Sequence, residues 1–144
     1  MSLNLDYIAA CVSQQIARNT QAKELENMAT KALGVLQEQG VYAMILFLYS
    51  KRENVAYELI KWLDGIRAYV ESLDETDSSN DNTNSCPVEP TENVSHGREE
   101  ILQTFANLSS DLNTLLLVRD LFEQMLIYAR YHAKAKAQAD GGSS

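Results

Sequence analysis

The stretch Gly40-Val41-Tyr42-Ala43-Met44-Ile45-Leu46-Phe47-Leu48-Tyr49-Ser50-Lys51 decides the fold class. From Val41 to Tyr49 every side chain is apolar or aromatic. A helix accommodates such a run by burial on all sides, a strand only as the centre of a sheet. No other segment alternates with period two, so a strand here would leave its backbone groups unpaired. The run therefore reads as a helix, and the chain as an all-α protein. It is far shorter than the roughly 20 residues that span a bilayer, and it ends at Ser50-Lys51-Arg52, which makes it core and gives no membrane span.

Upstream, Leu5, Ile8, Val12 and Ile16 recur at helical steps, predicting a first helix that ends near Asn19-Thr20. A second helix carries Leu25, Met28, Ala29, Ala32, Leu33 and Leu36 on one stripe and stops at Gly40, a residue suited to a left-handed cap. Downstream, Ser50-Lys51-Arg52-Glu53 fits the Ser-x-x-Glu capping box, with Asn54 as a competing cap. The helix that follows places Leu59, Ile60, Leu63, Ile66, Val70 and Leu73 on one face, flanked by Trp62 and Tyr69, with Lys61 and Arg67 turned away.

From 74 to 97 the composition changes to Asp, Ser, Asn, Thr, Glu and both prolines, Pro87 and Pro90. This predicts a long acidic disordered loop, whose removal from Asp77 to Val94 would leave thermal stability nearly untouched. Ile101, Leu102, Phe105 and Leu108 then mark a short helix, and Ser109-Ser110-Asp111 offers N-cap chemistry for a last, longest one. That helix carries Leu115, Val118, Phe122, Met125, Ala129 and His132 on one stripe, before a flexible tail over 138–144. The 144 residues make one domain, a bundle of about five to six helices able to bury about two-thirds of its unfolded surface.

The formal net charge is −8, which on its face argues against a nucleic-acid partner. The acids are not evenly spread. Between Ala68 and Gly97 there is no Lys or Arg, while Glu71, Asp74, Glu75, Asp77, Asp81, Glu89 and Glu92 all fall there, and the rest of the chain is nearly balanced. The first residues lack the basic segment of a signal peptide. Cys11 and Cys86, the only cysteines, accordingly read as two free thiols in a reducing cytoplasm rather than as a disulfide.

Catalytic chemistry finds no foothold. His96 and His132 have no partners at metal-ligand spacing, and there is no phosphate-binding glycine loop or nucleophile elbow. Glu99-Glu100 is explained by the helix dipole. The reading is of a non-enzyme with no metal, no cofactor and no small-molecule substrate, acting by contact with macromolecules. The surface cations that could serve such contact are Lys51, Arg52, Lys61, Arg67, Arg130 and Lys134, together with Lys136. The plainer reading of them is ordinary solvated charge.

Two segments carry a resemblance. One is the helix ending Ala32-Leu33-Gly34-Val35-Leu36 followed by Gly40 to Lys51; the other is Leu126-Ile127-Tyr128-Ala129-Arg130-Tyr131-His132-Ala133-Lys134. In order and character they resemble the small helical subunit of type III-B CRISPR (Cmr) effector complexes, which bind and cut RNA under guide-RNA direction. The sequence departs from that pattern at Gln37-Glu38-Gln39, where basic residues are common, and in its acidic loop. The resemblance implies a non-catalytic antiviral-defence subunit of a cytoplasmic ribonucleoprotein. It would stack with copies of itself beside other effector subunits and touch the backbone of guide and target RNA through Lys51, Arg52, Lys61, Arg67, Arg130 and Lys134. The alternative is a helical adaptor or regulatory protein that acts only through protein–protein contacts.

Overall fold

The computed structural model describes residues 5–73, 86–108 and 110–142. Among them the chain forms six helices and no strand. These are α1 (Leu5–Asn19), α2 (Ala22–Gln39), α3 (Val41–Lys51), α4 (Asn54–Leu73), α5 (Arg98–Leu108) and α6 (Leu112–Gly142). The all-α bundle expected from the apolar periodicities is the observed fold. Residues 74–85 of the expected disordered loop lie outside the described residues. Helix α6 continues through 138–142, where a flexible tail was expected.

Helix α6 lies between α1 and α2 and packs against both. Asp6, near the start of α1, accepts hydrogen bonds from Gln124 and Tyr128, whereas Lys136 donates to the carbonyls of Ala17 and Thr20 at its end, each at 3.1 Å. Helices α1 and α6 therefore run in the same direction. Lys136 also satisfies carbonyls that the end of a helix leaves without partners, where positive charge is favoured. Helix α2 runs the opposite way, its C-terminal Gln37 reaching Glu123 at 2.8 Å.

Gly40 joins α2 to α3 without a loop. Its N–H donates to Leu36 and Val35, and its carbonyl accepts from Met44. Its backbone has φ 101°, ψ −178°, a region open essentially to glycine alone and different from the left-handed cap expected there. In α3 the buried residues are Val41, Met44, Ile45, Leu48 and Tyr49, the spacing of a one-sided helix. Tyr42 and Leu46 are 41% and 47% exposed. Burial on all sides was the wrong expectation: the outer face is apolar in composition but open.

The capping box is also not formed. Ser50 belongs to α3 and its hydroxyl donates back to Phe47 O at 2.6 Å, because the helix continues to Lys51 and breaks only where Arg52 takes a left-handed conformation, φ 52°, ψ 40°. At the start of α6 the expected chemistry is present, with the Asp111 carboxylate accepting from the backbone N–H of Thr114 at 3.4 Å and from its hydroxyl at 2.8 Å.

Helix α4 is the enclosed element. Val55, Ala56, Leu59, Ile60, Leu63, Ile66 and Val70 are buried on the bundle side, but so are Trp62 and Asp64, which lie on other faces. What covers the outer face is the end of the segment expected to be disordered. Residues 86–97 form an ordered strap across α4, with Val88 and Val94 2% and 3% exposed. Thr91 N–H donates to the Lys61 carbonyl at 3.0 Å and its hydroxyl to Asp64 Oδ2 at 2.6 Å. Tyr49 O–H donates to the Val94 carbonyl at 2.8 Å. The strap comes so near that a Cβ on Gly65 would meet the Glu89 carbonyl oxygen, and only glycine permits that approach.

Cys86, at the head of the strap, is bonded to Cys11 of α1 across 75 positions, with Cα atoms 5.8 Å apart. The expectation of two free thiols is corrected: the ordered strap carries Cys86 back onto α1. A cross-link closing a loop of this length constrains the unfolded chain by about 4 kcal/mol on chain-entropy grounds. Removing Asp77 to Val94 would therefore take away a disulfide and two buried valines, contrary to the neutrality expected from composition.

Asp64 ties the layers together. Its second oxygen accepts from Arg67 Nε at 2.8 Å, Arg67 reaches on to Glu71 at 2.7 Å, and the guanidinium lies over the Phe105 ring of α5. We expect Asp64→Ala to lower unfolding free energy in urea by about 3 kcal/mol, because it takes one of two acids from a largely buried guanidinium and the acceptor from the Thr91 hydroxyl. Gly65→Ala should cost about 1–3 kcal/mol by forcing the strap outward, with the helical content of circular dichroism spectra unchanged in both variants.

Candidate functional site

The six candidate cations occupy unequal positions. Lys61 pairs with Glu58 one turn earlier on α4 at 3.3 Å, and Glu58 also accepts from the indole N–H of Trp62 at 3.0 Å. Arg67 is the hub of the Asp64–Glu71 network and only 13% exposed at its side chain. Both charges are already answered by carboxylates, and Arg67 is part of the packing against α5. Lys51 sits at the C-terminal end of α3 with its ammonium 5.0 Å from the centre of the Phe47 ring, a contact that leaves the charge available.

Arg52 opens onto a cleft of about 690 Å³ between the α3–α4 junction and the strap. Tyr49, Tyr57, Ser95, His96, Gly97, Arg98, Glu99 and Glu100 complete its lining. Arg98 and His96 were not singled out from sequence; the turn at Asn93, whose carbonyl accepts from the N–H groups of His96 and Gly97, brings them opposite Arg52. Two carboxylates share the wall with these cations, so the cleft is of mixed charge.

Arg130 and Lys134 are one turn apart on α6, hence neighbours on its surface. Between them Tyr131 stands 62% exposed. Among the described residues the ion pairs are Lys61–Glu58, Arg67–Asp64 and Arg67–Glu71, and neither Arg130 nor Lys134 belongs to one. Arg130 is half-buried, and its Nε has no hydrogen-bond partner among the described residues. The structure thus brings Arg130 and Lys134 together, sets Arg52 beside Lys51 at another corner, and ties Lys61 and Arg67 into α4.

No family model, curated protein or solved structure matches the chain. Among the described residues no group of three or more His, Cys, Asp or Glu is arranged to hold a metal ion, and no helix is long and apolar enough to cross a membrane.

The signal for discounting Lys61 and Arg67 was present in the sequence. Glu58 and Asp64 stand three residues before them and Glu71 four residues after Arg67, spacings at which charges on a helix meet. No such local signal marks Tyr131 as exposed. In a helix whose neighbouring aromatic Phe122 is fully buried, only the course of α1 and α2 along α6 decides which aromatic faces outward.

Titration behaviour follows burial. The Tyr49 hydroxyl, which donates to Val94 O, is pushed up to about 12, first by burial, then by the nearby Asp64 and Tyr57, against a smaller pull from Arg98. Its folded value lies above the unfolded value near 10, so the folded state holds the proton more tightly. The associated stability is complete below pH 10 and is lost as pH rises toward 12. We expect urea midpoints to fall across pH 10–12 in the wild type and to fall less steeply in Tyr49→Phe.

Proposed function

We propose that this protein is a non-catalytic subunit of a type III-B CRISPR (Cmr) ribonucleoprotein effector, contacting the backbone of guide and target RNA in antiviral defence. The observation that carries the reading is the surface of α6 at Arg130, Tyr131 and Lys134, where an exposed aromatic ring adjoins two cations that belong to no ion pair among the described residues. It lies inside one of the two segments that carry the resemblance. A ring can stack on an unpaired base or ribose while guanidinium and ammonium groups take phosphates, a combination that binds RNA without reading its sequence.

The all-helical bundle supports the reading, since such a subunit has no need of a catalytic centre. The exposed apolar residues Tyr42 and Leu46 on α3 and Leu112 and Leu116 on α6 supply surface for packing against copies of itself and other effector subunits. Lys51 and Arg52 are retained as secondary backbone contacts; Lys61 and Arg67 are not, because their charges are spent within α4. A cytoplasmic setting belongs to the proposal.

The test is binding of the full chain to single-stranded RNA and to an RNA duplex, followed by fluorescence anisotropy over a salt series. Arg130→Glu with Lys134→Glu should weaken binding by about tenfold or more at low salt and reduce the slope of log affinity against log salt by roughly 2. Tyr131→Ala should weaken the single-strand complex more than the duplex. Affinity unchanged at low salt in the charge-reversed protein would remove the RNA role and leave contact with protein alone.

A further inference from the structure

We infer that the Cys11–Cys86 bond is a reversible redox latch on the strap, which in the reduced protein lets residues 86–91 lift from α4 while 92–97 stay in place. Three observations lead there, none of them dependent on the RNA reading.

First, the two halves of the strap are held by different means. The far half is anchored by non-covalent contacts alone: Val94 is buried, its carbonyl accepts from the Tyr49 hydroxyl, and Asn93 O closes the turn onto His96 and Gly97. The near half has the disulfide, one buried valine, and the two hydrogen bonds of Thr91. The side chains of Pro87 and Glu89 are exposed. Opening the disulfide removes the near half's covalent tie to α1.

Second, the backbone of α4 beneath this half is fitted to the strap. Gly65 faces the Glu89 carbonyl with no room for a methyl group, so lifting the strap bares a strip of α4 around Gly65, including the Lys61 carbonyl and one oxygen of Asp64. Third, both cysteines are only partly buried, within reach of an attacking thiolate, and there is no other cysteine in the chain to compete.

The chemistry is dithiol exchange. A thiolate of an external dithiol attacks one sulfur, the Cys11–Cys86 bond breaks, and a mixed disulfide forms. The second thiol of the reductant then displaces the remaining cysteine. Two electrons pass to the protein, both cysteines leave as thiols after protonation, and the dithiol becomes a cyclic disulfide. In a reducing cytoplasm the latch would stand open, and oxidation would close it.

Site-resolved amide hydrogen exchange of the full chain, with the air-oxidised protein compared before and after dithiothreitol, tests this directly. Non-reducing mass spectrometry establishes the bond in the starting sample. We expect the Thr91 amide, bonded to Lys61 O, to exchange about tenfold faster or more after reduction. The His96 and Gly97 amides should keep their rates, and reoxidation should restore Thr91. Cys11→Ser with Cys86→Ser should give the reduced pattern with no response to dithiothreitol. An unchanged Thr91 amide, a uniform acceleration throughout the chain, absence of the bond in oxidised protein, or failure of the double variant to fold would each overturn the latch.

Discussion

The close approach of the strap backbone to Gly65 is the constraint on which the rest of the architecture depends. A helix between others in a bundle normally keeps one wet face, yet α4 buries Trp62 and Asp64 as well as its bundle-side stripe. For Asp64 the cover is a second piece of backbone, which lies on α4 at a distance no side chain at position 65 would permit. The consequences are chemical. A carboxylate under the strap cannot be solvated, so both oxygens of Asp64 are taken up, one by Arg67 and one by Thr91. Arg67 in turn leans over Phe105 and links α4 to α5, and α5 packs on α6 through Phe105 and Phe122.

Around this centre the charge of the protein divides into two populations. On α4 the cations are structural, each matched to an acid within one turn. At the end of α6 Arg130 and Lys134 belong to no ion pair among the described residues, and they share the surface with an exposed tyrosine. A net charge of −8 describes neither population. Phosphate binding depends on local unneutralised cations, and the proposed RNA contact rests on that difference between helices.

Much of the helical layout was legible because it is encoded locally. Leu25, Met28, Ala29, Ala32, Leu33 and Leu36 are buried as their spacing required, and Asp111 caps α6 by accepting from the Thr114 N–H. What was not legible depends on contacts between distant parts of the chain. Residues 86–97 have the acidic, proline-containing composition of a disordered segment; they are ordered by Cys11, Tyr49, Lys61 and Asp64, none of which is near in sequence. In retrospect Cys86, Val88 and Val94 were apolar exceptions in that segment, and Gly65 an unexplained glycine inside a strong helix. Ser50 misled for the opposite reason, since its capping signal is local and sound, but α3 continues through it to Arg52. Of the candidate site, the Arg130–Lys134 pairing followed from helix geometry, whereas the exposure of Tyr131 required knowing where α1 and α2 lie.

How far α4 is covered beyond its bundle-side stripe can be read at one residue. Trp62 is the only tryptophan of the chain, 6% exposed and hydrogen-bonded to Glu58. Acrylamide quenching of its fluorescence in the native full-length protein is therefore the most direct measurement. Enclosure requires a blue-shifted emission and quenching far slower than for free indole, both abolished by urea. A red-shifted emission quenched as readily as free indole would show that Trp62 stands open to water and contradict the packing of α4.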